Sequence, residues 1–230
     1  MSEGVVNLSE ILDARYYADL IECGGLVASI VHVSNLNGID LGEVGPQARS
    51  GEGMFKTANA NSRRGRMSVL LGLGRRSFSL TLEGREFVWA SGGTPDLLIL
   101  ISAMDSWRKG ASLREIGTEF PFLQYGRISQ AHEDGDAVEV QWRILAESER
   151  FREHFHLIRL LQSDVRLREL FPSFSHETLR LAVDCYDRCA GEILIERHGE
   201  KYLVSASGGE TASLAILANA AQSLIFHNFS

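Results

Sequence analysis

The pair in this chain best suited to chemistry is Ser175-His176, which follows Pro172 at the start of a predicted strand. An imidazole titrates near neutrality, so His176 can act as a general base, with the Ser175 hydroxyl beside it. These two are the candidate catalytic residues. Arg180, further along the same strand, is a candidate for a substrate carboxylate, and Trp142 and His132 complete the expected substrate contacts. The structural alternative is a turn in which hydroxyl and imidazole satisfy backbone groups.

Two Ser-Gly-Gly segments, Ser91-Gly92-Gly93 and Ser207-Gly208-Gly209, precede apolar helical stretches. Read as strand-to-helix turns, they would offer free amides to an anion. A Gly-Gly turn is equally the simplest sharp junction, since glycine tolerates positive φ. No Lys-Ser/Thr follows either, so neither is a P-loop. Cys185 and Cys189 would share a face if one helical turn separated them, with His198 nearby, but the spacing is not that of a finger or ribbon. His154 and His156, two apart on a helix, would point away from each other. The acids from Glu133 to Glu139 do not follow an EF-hand order. No Gly-x-Ser-x-Gly elbow, His-Glu-x-x-His or dinucleotide fingerprint occurs, so the motifs name no reaction, and no metal or cofactor is expected.

The elements that must hold these residues follow from periodicity. Residues 8–33 read as helix, interrupted at Gly24-Gly25. Residues 42–66 lack a sustained period and read as a long mobile loop. Between Arg49 and Arg76 lie seven Lys/Arg and one acid, Glu52. This basic stretch, 49–76, is a solvated surface or a contact for a protein partner, an acidic peptide or a phosphate-bearing ligand. Residues 77–82 and 86–90 form a hairpin, and Thr94-Pro95 opens a helix over 95–108. Residues 129–170 are mainly helical, ending at Phe171-Pro172, and 177–183 form a strand. Strands at 192–196 and 201–206 lead into a last helix ending near Phe226.

The segments REFVWASGGTPDLLILISAM and KYLVSASGGETASLAILANAA align, with Ala90 on Ala206, a separation of 206 minus 90, or 116 residues. The expected fold is therefore α+β, with two similar halves, each a β-hairpin followed by a helix, and a central helical segment. The halves are 1–126 and 127–230, packed as one compact unit.

Composition bounds the function class. At 44% hydrophobic and 23% charged residues, the chain is ordinary for a globular protein. A net charge of −7 argues against a nucleic-acid coat. Residues 1–10 show no secretory pattern, and no apolar run reaches membrane-spanning length. Three cysteines suit a reducing, cytoplasmic compartment better than a disulfide framework.

Phe120-Pro121-Phe122, Ala131-His132-Glu133, Trp142-Arg143, and Arg168-Glu169-Leu170-Phe171-Pro172 through Ser175-His176-Glu177-Thr178-Leu179 together resemble an uncharacterised bacterial family labelled natural product biosynthesis proteins. The similarity covers residues 20–185 and is weaker over the first sixty residues and after Asp184. It implies a component of natural product biosynthesis that acts on or binds a peptide-type or small-molecule intermediate. It supplies no catalytic residues. The alternative is a non-catalytic binding module such as a partner, carrier or immunity protein.

Overall fold

A computed structural model describes residues 7–85, 87–199, 201–208 and 212–229. The protein is α+β and divides into two compact units, 1–129 and 130–230. Each unit has its own hydrophobic core. Among the described residues, no helix is long and apolar enough to cross a membrane.

Unit 1 runs α1 (Leu8–Ile11), α2 (Ala14–Cys23), α3 (Leu26–Leu36), β1 (Val44–Gly45), α4 (Gly53–Lys56), β2 (Thr57–Ser62), β3 (Gly65–Leu71), β4 (Phe78–Glu83), β5 (Val88–Thr94), α5 (Leu97–Arg108), α6 (Leu113–Glu119) and β6 (Leu123–Gln124). The six strands form one antiparallel meander in chain order. Gly24 takes φ 94 at the end of α2, the left-handed conformation that lets the chain stop one helix and start another. One sheet face is apolar at every second residue. Ala58, Ala60, Met67, Val69, Leu71, Phe78, Leu80 and Leu82 are buried with Leu26 and Ile30 of α3 and Leu100, Ile101 and Met104 of α5.

Three expectations fail here. Residues 42–66 are not one continuous loop: β1, α4, β2 and the start of β3 lie within the span. The period-two burial of Ala58 and Ala60 is carried by small residues that barely register as apolar, so the strand was not visible. Ser91-Gly92-Gly93 is not a turn but the interior of β5. Its residues pair with Thr81, Leu80 and Ser79 of β4, and Ser91 and Gly92 also pair with Gln124 and Leu123 of β6. The helix that follows begins at Leu97, capped by Asp96, whose carboxylate accepts from the Leu98 and Ile99 amides at 2.8 and 3.1 Å.

The division between units falls inside α7 (Arg127–Asp134). Unit 2 continues with α8 (Ala137–Glu147), a 3-10 turn at Glu149–His154, α9 (Phe155–Ser163), β7 (Phe171–Ser175), β8 (Thr178–Ala182), β9 (Glu192–His198), β10 (Lys201–Ser207) and α10 (Ala212–Phe229). The sheet is antiparallel in the order β10-β9-β8-β7. Pro172, with no amide hydrogen, sits on the edge strand β7, where the ladder tolerates it. Trp142, Leu145, Ile158 and Leu161 from the helices meet Leu179, Leu181, Ile193 and Ile195 from the sheet.

Both units contain a hairpin followed by a helix, but their registers differ. Ala90 lies opposite Leu82, eight positions back (90 minus 82), whereas its counterpart Ala206 lies opposite Ile193, thirteen back (206 minus 193). Ser207 is the last residue of β10, and Gly208 follows with φ 74. Gly209 lies outside the described residues.

Candidate functional site

The segment Phe171-Pro172-Ser173-Phe174-Ser175 alternates and returns through Thr178-Leu179-Arg180-Leu181-Ala182, leaving His176-Glu177 as a two-residue loop closed by the Ser175–Thr178 pair. A two-residue hairpin matches the strand twist when both loop residues have positive φ. His176 and Glu177 adopt φ 48 and 67, and they are the positive-φ residues other than glycine among those described. Histidine is one of the types found there more often, whereas glutamate is not a residue type that settles there easily. The polar pair is therefore not at the mouth of a strand after a helix but at the tip of a strained hairpin. Its local contact is short: the Ser175 hydroxyl lies 3.1 Å from His176 Nδ1.

The 3-10 turn Glu149–His154 builds the wall beneath this tip. Phe151 stacks on Phe174 with centroids 4.6 Å apart and planes at 16°. His154 lies against the same Phe174 ring at 4.9 Å. Together these residues line a cavity of about 780 Å³ whose rim carries Arg150, Ser175, His176 and Glu177. Burial lowers the His154 pKa below its usual value, with Arg197 adding to the effect and Glu153 and Glu177 opposing it. The imidazole is thus neutral at neutral pH. Its Nδ1 is buried without a hydrogen-bond partner among the described residues. By spacing alone His154 and His156 face apart on a helix. His154 does diverge from His156, whose ring meets Phe229 at 5.0 Å. What marks His154 is the pair of phenylalanines, Phe151 and Phe174, that the fold brings to it.

The other expected contacts lie elsewhere. Arg180 makes a two-pronged ion pair across the sheet, its Nε 2.9 Å from Glu192 Oε2 and its Nη2 2.6 Å from Oε1. Its guanidinium is committed to the fold, and Glu192 holds its pKa up. Trp142 is buried in the core, its indole N–H shared between the carbonyls of Arg168 at 3.0 Å and Leu170 at 3.1 Å. It lines a separate cavity of about 910 Å³, with Glu139, Arg159 and Arg168. His132 stacks on Phe171 at 5.8 Å, and its Nδ1 lies 2.6 Å from the Tyr186 hydroxyl. Burial lowers the His132 pKa and raises that of Tyr186.

Cys185 and Cys189 do not share a helical turn. The chain bends at Asp184, and only a short 3-10 segment, Arg188–Ala190, carries Cys189. Among the described residues no group of three His, Cys, Asp or Glu is arranged to hold a metal ion. The amides of Ser91 and Gly92 are inside the ladder with a strand on either side, so they do not form a helix-end anion site.

Residues 136–228 match the model of a family of unknown function, DUF6193. The match takes in the hairpin and its cavity, and it extends through the segment after Asp184. No curated protein and no solved structure matches the chain.

Proposed function

We propose that this protein serves natural product biosynthesis as a binding module that holds a peptide-type intermediate in the cavity under the β7–β8 turn. The observation that carries the reading is the composition of that cavity. An aromatic floor, Phe151 on Phe174, adjoins a neutral imidazole and a rim of hydroxyl, imidazole, carboxylate and guanidinium. Beside that aromatic pair the lining is polar and charged, with Glu149, Arg150, Arg152, Glu153 and Glu177, which suits a polar ligand or a peptide segment that sets one apolar side chain on the rings. The biosynthetic context rests on the resemblance carried by Phe120-Pro121-Phe122 through Leu179.

Holding is favoured over turning over the intermediate. Nucleophilic catalysis needs a base that is itself oriented by a third group. Among the described residues His176 has Ser175 as its hydrogen-bond partner and no second one. Arg180 and Trp142, which a substrate cleft would need beside His176, are spent on Glu192 and on backbone carbonyls.

Deleting the gene from its host should remove or truncate a peptide-derived metabolite seen by mass spectrometry. Complementation with the natural sequence should restore it, and a His154→Ala/Phe174→Ala protein, checked for folding by circular dichroism, should not. A metabolite profile untouched by deletion would overturn the reading. Full rescue by the double variant would remove the cavity from it.

A further inference from the structure

The two sheets have four edges, and three of them are blunted. β1 and β6, the edges of the unit 1 sheet, are two residues each, and β7 carries Pro172. The fourth edge is β10. It runs seven residues in unbroken register with β9, from Lys201 opposite His198 to Ser207 opposite Glu192, with no proline and no bulge. Its single charge, Lys201, stands at one end. Lys201, Leu203, Ser205, Ala206 and Ser207 are exposed, Leu203 by 55%. Among the described residues no strand pairs with the outer side of β10. A long, regular edge of this kind is a template for another strand.

The helix over the same strand is equally bare of charge. α10 packs on β10 and β9, and its 18 residues include no Asp, Glu, Lys or Arg. A helix at a protein surface ordinarily turns a charged face to water. α10 instead exposes Ala215, Ile216, Asn219 and Gln222, Ile216 by 58%.

We infer that β10 pairs with β10 of a second copy of this chain, joining two four-stranded sheets into one about a two-fold axis. Charge selects this partner. Each chain carries −7, so two copies repel except where they meet without carboxylates, and neither β10 nor α10 has one. Register selects the geometry. A two-fold axis perpendicular to the sheet makes the strands antiparallel, and overlap of the whole strand sets the axis at Val204. Leu203 then lies opposite Ser205 of the copy, and Lys201 opposite Ser207 of the copy. Parallel pairing would instead set Lys201 against Lys201, a like-charge clash. The same axis brings the two α10 helices side by side on one face. With strands about 4.8 Å apart, helices centred over β9 and β10 stand about 10 Å from each other across the seam, close to the spacing at which helices pack. The contact is self-complementary, as a two-fold dimer requires. It lies at the opposite edge of the sheet from β7 and does not depend on the peptide cavity under the β7–β8 turn.

The test is sedimentation equilibrium on the full chain, from low to high micromolar concentration. Twice the chain mass is expected as concentration rises, and amide exchange along Tyr202–Ala206 should slow as the dimer forms. Leu203→Lys/Ser205→Lys sets cation against cation at two places in the seam, and should weaken the dimer at least tenfold with the circular dichroism unchanged. Leu70→Lys/Leu73→Lys adds the same charge at exposed positions of unit 1 and should leave the dimer as it was. A monomer throughout would overturn the inference and leave the edge to an extended peptide. So would a dimer undiminished in the β10 variant or without slowed exchange in β10, which would place the contact on another face. Equal weakening by the unit 1 variant would overturn it too, as an effect of net charge alone.

Discussion

Replacing Glu177 with glycine should stabilise unit 2. Glu177 sits at φ 67 and its neighbour His176 at φ 48. The left-handed region costs an ordinary L-residue about 1–2 kcal/mol, because Cβ crowds the following carbonyl oxygen. Glycine escapes that crowding but gives back about 0.5–1 kcal/mol in the larger freedom it has when unfolded. The net gain is about 0.5–1 kcal/mol. In urea, at about 1–3 kcal/mol per molar, the unfolding midpoint should rise by about 0.2–1 M. Amide exchange along β8 reports the same change at the hairpin, because its ladder closes on this turn. His176→Asn/Glu177→Gly, the pair this turn type prefers, should gain more. Both native side chains are exposed, so His176→Ala alone should leave stability within about 0.5 kcal/mol. A lowered midpoint for Glu177→Gly would refute the strain argument, because it would mean that the glutamate side chain stabilises the turn by more than its backbone costs.

Gly92→Ala should destabilise unit 1 by about 2–4 kcal/mol in denaturant unfolding: the new Cβ would stand 1.8 Å from the Phe122 carbonyl oxygen, and relief means peeling β6 away with buried Leu123. Ser91→Ala beside it is exposed and should cost nothing measurable, whereas an anion site there would show the reverse pattern in ligand binding. Trp142→Phe removes the donor shared by the Arg168 and Leu170 carbonyls, and calorimetric or urea unfolding should show a loss of about 1–3 kcal/mol. The Asp164 carboxyl is held at about 2, chiefly by the Arg166 side chain, with the Arg166 and Leu167 amides assisting against burial. A depressed carboxyl stabilises above its unfolded value of 3.8 and loses that contribution as pH falls to about 2. An acid titration of stability should therefore show about 1–2 kcal/mol that Asp164→Asn abolishes.

Much of the architecture is legible in local pattern. The break at Gly24-Gly25, the hairpins of β4–β5 and β9–β10, and the helices around Trp142 and Phe155 follow from turn residues and from apolar periods of two or about four. Where small or polar residues fill a strand the pattern disappears. Thr57-Ala58-Asn59-Ala60-Asn61 looks like a loop by composition, yet becomes β2 because β1 and β3 supply hydrogen bonds on both sides. Ser91-Gly92-Gly93 looks like a turn for the same reason. It is a strand because Phe122 crosses so close above Gly92 that no side chain fits.

The candidate site divides along the same line. Sequence alone determined that Ser175 and His176 are adjacent polar groups next to Phe174, since neighbours in the chain stay neighbours in any fold. It also placed a cluster of cations between Arg49 and Arg76. Which partners those residues meet was decided by the tertiary structure. Hydrogen bonds across the sheet gave Arg180 to Glu192, and core packing gave Trp142 to two backbone carbonyls. The stack of Phe151 on Phe174 brought His154, more than twenty residues away in sequence, under the turn at His176. Directional contacts between distant residues depend on register and on where helices end, and neither is carried by residue type or spacing.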